Sequence, residues 1–170
     1  MHSGGFGDQA YPGVPLSHGN IQEELNHFEI RLLKLMRAAG EDGILRCKLI
    51  TQRLDHDQSL LEHQFTALSY CWGTDLSFHS IEVEGISYKP TANLYNALVN
   101  IAASTCEESV LWIDAICINQ KDSSEKANQI SIMAQIYSLA QETIIWFSSE
   151  DDPCFEAFKL LPQIRSLSQV

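Results

Sequence analysis

Basic residues are scarce in this chain: 11 Lys and Arg stand against 22 Asp and Glu over 170 residues, a formal net charge of −11. Nucleic acid and anionic membrane surfaces would be repelled in bulk, and no Lys/Arg cluster longer than a pair offers a local exception. Long apolar runs are also missing, since a membrane span needs about 20 such residues. The glycine-rich signatures GxGxxG, GxxxxGK[ST] and GxSxG do not occur, which removes the common dinucleotide, P-loop and hydrolase readings. Five cysteines, at 47, 71, 106, 117 and 154, are an odd number without CxxC spacing. Reduced thiols and a cytoplasmic setting are therefore expected. The six histidines, at 2, 18, 27, 56, 63 and 79, keep no spacing that would build a zinc site or a Cys/His dyad, so no metal is expected. No charged start followed by an apolar core marks a signal peptide, and Gly4-Gly5, Pro12-Gly13 and Pro15 make residues 1–20 a flexible amino-terminal tail.

What is present is enough for one domain. Apolar residues make up 45% of the chain and charged residues 19%, a globular balance. Phe28, Ile30 and Leu32 alternate with Glu29 and Arg31, and Leu45, Cys47 and Leu49 alternate with Arg46 and Lys48. Two half-buried strands follow, paired as an antiparallel hairpin across the Ala38 to Gly43 turn. Ile81 to Tyr88 repeats the pattern on a smaller scale around Glu84-Gly85. From Thr91 to Ala103, Leu94, Ala97, Leu98 and Ile101 share one helical face. Asp122-Ser-Ser-Glu125 has capping-box spacing, and Ile130, Met133, Tyr137 and Ala140 continue a helix of about four turns. Thr143 to Phe147 is continuously apolar and is read as a third buried strand.

The most informative stretch is Leu111-Trp-Ile-Asp-Ala-Ile-Cys-Ile-Asn-Gln120. Its lack of polar alternation fits a parallel strand covered on both faces, and Asp114, Cys117, Asn119 and Gln120 arrive at its carboxyl end, where open α/β sheets build their sites. An ionised carboxylate in such a place needs hydrogen bonds, a cation or a ligand, so Asp114 carries either a structural or a binding role. Ser69, Tyr70, Trp72 and Gly73 close another buried strand. Trp72 serves either packing or a ligand platform, and the hydroxyls of Ser69 and Tyr70 need partners, so these strand-end residues join Asp114, Cys117, Asn119 and Gln120 as a candidate pocket. Cys117 is a candidate thiolate only if a base adjoins it. Glu150-Asp151-Asp152 reads as a solvated turn. Strand, helix, strand, helix, strand makes an α/β core of three parallel strands with right-handed crossovers, decorated by the two hairpins.

Phe65-Thr-Ala-Leu-Ser-Tyr-Cys-Trp-Gly73, Leu111 to Gln120, and Glu125-Lys-Ala-Asn-Gln129 with Met133, Ile136-Tyr137 and Ala140 together resemble the fungal heterokaryon incompatibility (HET) domain. The resemblance covers residues 28–152 and leaves residues 153–170 as a carboxy-terminal helical segment. It implies a signalling domain in self/non-self recognition and in the programmed cell death that follows fusion of incompatible hyphae. Its partner would be another protein or a second copy of the chain.

The strand order is also similar to the Toll/interleukin-1 receptor (TIR) fold, a flavodoxin-like arrangement. Ala67 to Tyr70 stands at the first strand and Ile113-Asp114 at the second. TIR domains that cleave NAD use a glutamate on the helix after the third strand. This weaker likeness makes Glu156 the matching acid, although its offset from Cys154 departs from the common pattern. NAD would then be a substrate, the carboxylate stabilising oxocarbenium character as the nicotinamide–ribose bond breaks. A plain surface glutamate fits the same position. No bound cofactor is otherwise implied.

Overall fold

The computed structural model describes residues 28–36, 43–55, 60–104 and 108–147. Strands β1 (Phe28–Leu35) and β2 (Arg46–Leu54) form the expected antiparallel hairpin, in register from Phe28 opposite Leu54 to Leu35 opposite Cys47. The small hairpin is also found, β4 (Ile81–Val83) returning as β5 (Ile86–Tyr88). Its two central residues, Glu84 and Gly85, have φ of 52° and 75°, the left-handed pair that matches the twist of the flanking strands. Glutamate accepts that conformation at a cost of about 1–2 kcal/mol. Part of it is returned by the Glu84 carboxylate, which accepts the Leu49 N–H at 2.5 Å.

The three apolar runs become β3 (Thr66–Tyr70), β6 (Ser109–Trp112) and β7 (Glu142–Trp146), mutually parallel with β3 in the middle. The hairpins do not merely decorate this core. β1 pairs antiparallel with β6, and β2 pairs parallel with β4, so the described strands make one mixed sheet in the order β5-β4-β2-β1-β6-β3-β7. Two expectations change as a result. β1 lies inside the sheet and is covered on both faces, burying Arg31 and Leu33 as completely as Ile30 and Leu32. β7 is an edge strand of this sheet with Ile145 exposed, although its composition suggested a buried one.

Helix α1 (Ala92–Ser104) buries Leu94, Ala97, Leu98 and Ile101, the stripe read from the sequence. Leu94, Leu98 and Ile101 each contribute roughly 1.5–3 kcal/mol of apolar burial. The strand expected through Gln120 stops at Trp112. Ile113 stays extended and Asp114–Cys117 forms a single helical turn, α2, so Asp114 opens a turn instead of lying in a strand. The four-turn helix is two pieces, α3 (Ser123–Ser131) and α4 (Met133–Leu139), broken at Ile132 with φ −104° and ψ 4°. Its buried stripe also differs: Glu125, Gln129, Ile132, Ile136 and Leu139 face inward, while Ile130 is exposed.

Trp112 is fully buried, its ring edge-on to Tyr137 at 5.6 Å. No helix among the described residues is long and apolar enough to cross a membrane. The tail at 1–20, the acidic run at 150–152 and the segment at 153–170 with Glu156 lie outside the described residues.

Candidate functional site

Parallel strands deliver their carboxyl ends to one edge of the sheet, and here that edge gathers residues from β3, β6, β7 and two helices. Past β3 the chain turns out through Gly73, whose φ of 69° suits glycine. Trp72 is thereby set against α2. Its indole Nε1–H donates to both carboxylate oxygens of Asp114, at 3.0 and 3.2 Å, and Oδ1 also accepts the Ala115 N–H at 2.7 Å. Burial pushes the Asp114 carboxyl above its usual range, opposed by the Trp72 and Ala115 bonds and by the charge of Lys126. Asp114 in turn adds to the upward displacement that burial gives the phenols of Tyr70, Tyr88 and Tyr137. The half-buried Asp114 carboxyl group thus holds its proton more firmly than in water.

A second set of bonds ties the strand ends together. Asn93, in the first turn of α1, donates through Nδ2 to the Cys71 carbonyl at 2.6 Å and accepts the Trp146 indole N–H at 2.9 Å. Ser69 is hydrogen-bonded to Tyr137, whose hydroxyl also lies 3.5 Å from the Leu68 carbonyl oxygen. Gln120 donates through Nε2 to the Asp114 carbonyl at 2.8 Å, leaving its own buried Oε1 without a partner.

Behind this edge lies a buried ion pair that the sequence did not announce. Arg31 on β1 and Glu125 on α3 are each almost fully buried and are joined through Nη2 and Oε1. The guanidinium Nε also donates to the Cys117 carbonyl at 2.9 Å, and Glu125 Oε1 accepts the Asn119 N–H at 2.6 Å. The capping box is consequently half-formed. Asp122 accepts the Ser124 and Glu125 N–H groups as expected, but the Glu125 carboxylate turns inward to Arg31. Gln129 adds an Nε2 bond to the Glu29 carbonyl at 3.0 Å. Together these bonds fasten the segment from Cys117 to Gln129 onto β1.

The candidate residues therefore divide. Ser69, Tyr70, Trp72, Asp114 and Gln120 meet at the carboxyl edge, with Gly73 as their hinge. Asn119 belongs to the Arg31–Glu125 network. Cys117 is completely buried, its Sγ accepting the Ile113 N–H at 3.4 Å, and burial pushes its thiol up to about 12, unsuited to a nucleophile. Asn93, Trp146, Tyr88 and Arg31 were missed. Asn93 alone left a signal, as an amide in the first turn of a helix where such residues serve local bonds.

The motifs on these elements also place the chain among known proteins. The family model described as heterokaryon incompatibility protein (HET) matches residues 65–169. Heterokaryon incompatibility protein 6, OR allele, of Neurospora crassa is 31% identical over 147 residues, covering 79% of this chain. The chain spans 21% of that relative's length. No solved structure matches. Since the family model takes in β3, the Asp114 turn, both pieces of the broken helix and β7, well over half of the sequence, the chain belongs to the heterokaryon incompatibility (HET) family.

Proposed function

We propose that this chain is a signalling module of fungal incompatibility that works by protein contact, with another protein or with a second copy of itself. The observation that supports this reading is the state of the carboxyl edge. Both oxygens of Asp114 are held by Trp72 and one also by Ala115, Asn93 is engaged at both ends of its amide, and Cys117 is buried. Groups spent on one another in this way fix the shape of a surface. They do not stand free to bind and turn over a small molecule. The role in incompatibility, and the cell death that follows from it, rests on the family and on the name of the Neurospora relative. The module acts in the cytoplasm on this reading, in keeping with its free thiols at Cys47, Cys71 and Cys117.

A second reading draws on the order of the parallel strands. β6-β3-β7 puts the first strand between the second and the third, the order with which flavodoxin-like and TIR-like sheets begin, and such sheets bind at the point where the order reverses. A TIR-like NAD glycohydrolase would use that crevice, with Glu156 as its acid. The two readings separate in one experiment. Purified protein is incubated with NAD while nicotinamide release is followed, and the same chain is expressed in hyphae scored for death. Death without nicotinamide release is the expected result. Release that is lost in Glu156→Gln would overturn the contact reading in favour of the enzyme.

A further inference from the structure

The amino ends of the three parallel strands enclose a cavity of about 310 Å³, and no residue of the carboxyl edge lines it. Phe65, Ile101 and Leu111 form its floor, each nearly fully buried. The Gln141 N–H donates to the Phe65 carbonyl at 2.9 Å and ties β7 to β3 at this end. The last turn of α1 closes one wall through Ser104, whose hydroxyl donates to the Ile101 carbonyl at 2.9 Å. Glu142, exposed at the start of β7, stands on the rim, and its Oε1 accepts the Thr66 hydroxyl at 3.3 Å.

No Lys, Arg or His lines this cavity. Two basic residues adjoin its lining, and each has a carboxylate of its own. Lys34 pairs with Glu108 of the rim at 2.5 Å, and the imidazole of His63, next to Gln64, lies 3.9 Å from the Glu62 carboxylate. Among the described residues no cation pairs with Glu142. α1 ends at the cavity with no basic residue in its last turn, so the helix dipole adds about half a negative charge there. An anion is repelled by both. A neutral guest would strip water from the carboxylate without replacing it. A metal ion lacks ligands, since no three His, Cys, Asp or Glu residues gather among the described residues. A positive charge on an apolar stem meets every condition, the charge lying toward Glu142 and the stem on the floor. The volume is at the low end of ligand sites, which run from about 300 to 1,000 Å³, and suits a stem of a few carbons. We propose that this cavity binds an organic cation, an ammonium or guanidinium group on a short alkyl stem, with Glu142 as counter-ion and Phe65, Ile101 and Leu111 beneath the stem. The site lies apart from the carboxyl edge, and its cation comes either from a free amine or from a lysine or arginine of a partner protein.

Isothermal titration calorimetry of the purified chain with pentylamine, methylamine and pentanol tests it. Wild type binds pentylamine with a Kd of about 1 mM or tighter, within reach of a ligand of so few atoms. Methylamine, which lacks the stem, and pentanol, which lacks the charge, each bind at least about tenfold more weakly. Glu142→Gln weakens pentylamine by about tenfold, on the scale of a charge-assisted hydrogen bond, and because the position is exposed its urea melt matches wild type. Asp75→Asn removes an exposed carboxylate from the loop beyond the opposite end of β3 and leaves binding unchanged. Cadaverine and an acetylated Gly-Lys-Gly amide then separate the two sources: the tighter of the pair names a free amine or a partner's side chain, and either preference upholds the site. A wild type that binds no pentylamine overturns the inference, as does pentanol binding equally well or Glu142→Gln binding unchanged. Equal losses in Glu142→Gln and Asp75→Asn would mark bulk attraction to an acidic chain and overturn it too.

Discussion

Removing the Glu125 carboxylate is the most searching test of how this fold is held. Arg31 and Glu125 are 1% and 2% exposed, so the pair lies where ions are costly unless each is matched. Glu125→Ala deletes the ion pair and the acceptor of the Asn119 N–H, and it leaves the buried guanidinium of Arg31 without its carboxylate. Breaking a buried pair from one side costs about 3–5 kcal/mol, against a total stability of about 5–15 kcal/mol for an ordinary domain. Urea melts followed by circular dichroism should therefore show a large fall in midpoint with little change in slope. Arg31→Met combined with Glu125→Leu removes both charges together and should cost much less than the two single changes added, because neither ion is left alone. The exposed Lys34–Glu108 pair, 2.5 Å apart, gives the scale of a surface contact: Glu108→Gln should stay within about 1 kcal/mol. A Glu125→Ala melt within about 1 kcal/mol of wild type, or a double change as costly as the sum, would refute the reasoning.

Asp114→Asn should alter the pH dependence of stability. Its folded carboxyl lies above the ordinary 3.8, so between the two values the folded state keeps a proton that the unfolded chain has lost, and stability falls as pH rises through that window. The Asn variant lacks this loss, and its advantage over wild type in urea midpoint should grow from about pH 4 upward and then level; a shrinking advantage would contradict the argument. Among Cys47, Cys71 and Cys117, brief alkylation of the native protein should label Cys71 first, because burial pushes the other two thiols up to about 12; mass spectrometry that finds Cys117 labelled early would disprove it. A shortened chain begun at Phe65, where the family match starts, should lack cooperative unfolding, since it loses β1 and with it Arg31 and the pairing that covers the edge of β6. A sharp thermal transition in that fragment would show that the sheet does not need its first hairpin.

Both hairpins and α1 were legible because their signals are local. Period-two alternation, a glutamate-glycine turn and a four-residue apolar stripe are each set within one element. What failed depended on neighbours. Thr143 to Phe147 reads as a covered strand, yet β7 pairs with β3 on one side only and leaves Ile145 in solvent. Arg31 reads as the solvent face of an edge hairpin, yet β1 sits between β2 and β6, so both of its faces meet protein. A short apolar run has the same appearance at the centre and at the rim of a sheet. Only the pairing order, a non-local property, separates the two.

The same limit applied to the carboxyl edge, with a further consequence. Position could be read, since Asp114 and Trp72 both follow apolar runs and parallel strands bring such ends together. Partnership could not, because Asn93 and Trp146 are 53 residues apart and meet only through the sheet. Partnership decides the chemistry. A carboxylate bonded to an indole and a backbone amide holds β3 against α2, and Asn93 holds the end of β3 against β7. The Arg31–Glu125 network performs the corresponding task on the other side of α2, fastening Asn119 and Cys117 to β1. The Asp114 turn is thus fixed from both sides by polar bonds that reach the antiparallel and the parallel halves of one sheet. A change at either anchor must move the whole edge, so loss of signalling in Asp114 variants and in Arg31 variants would have a common structural origin.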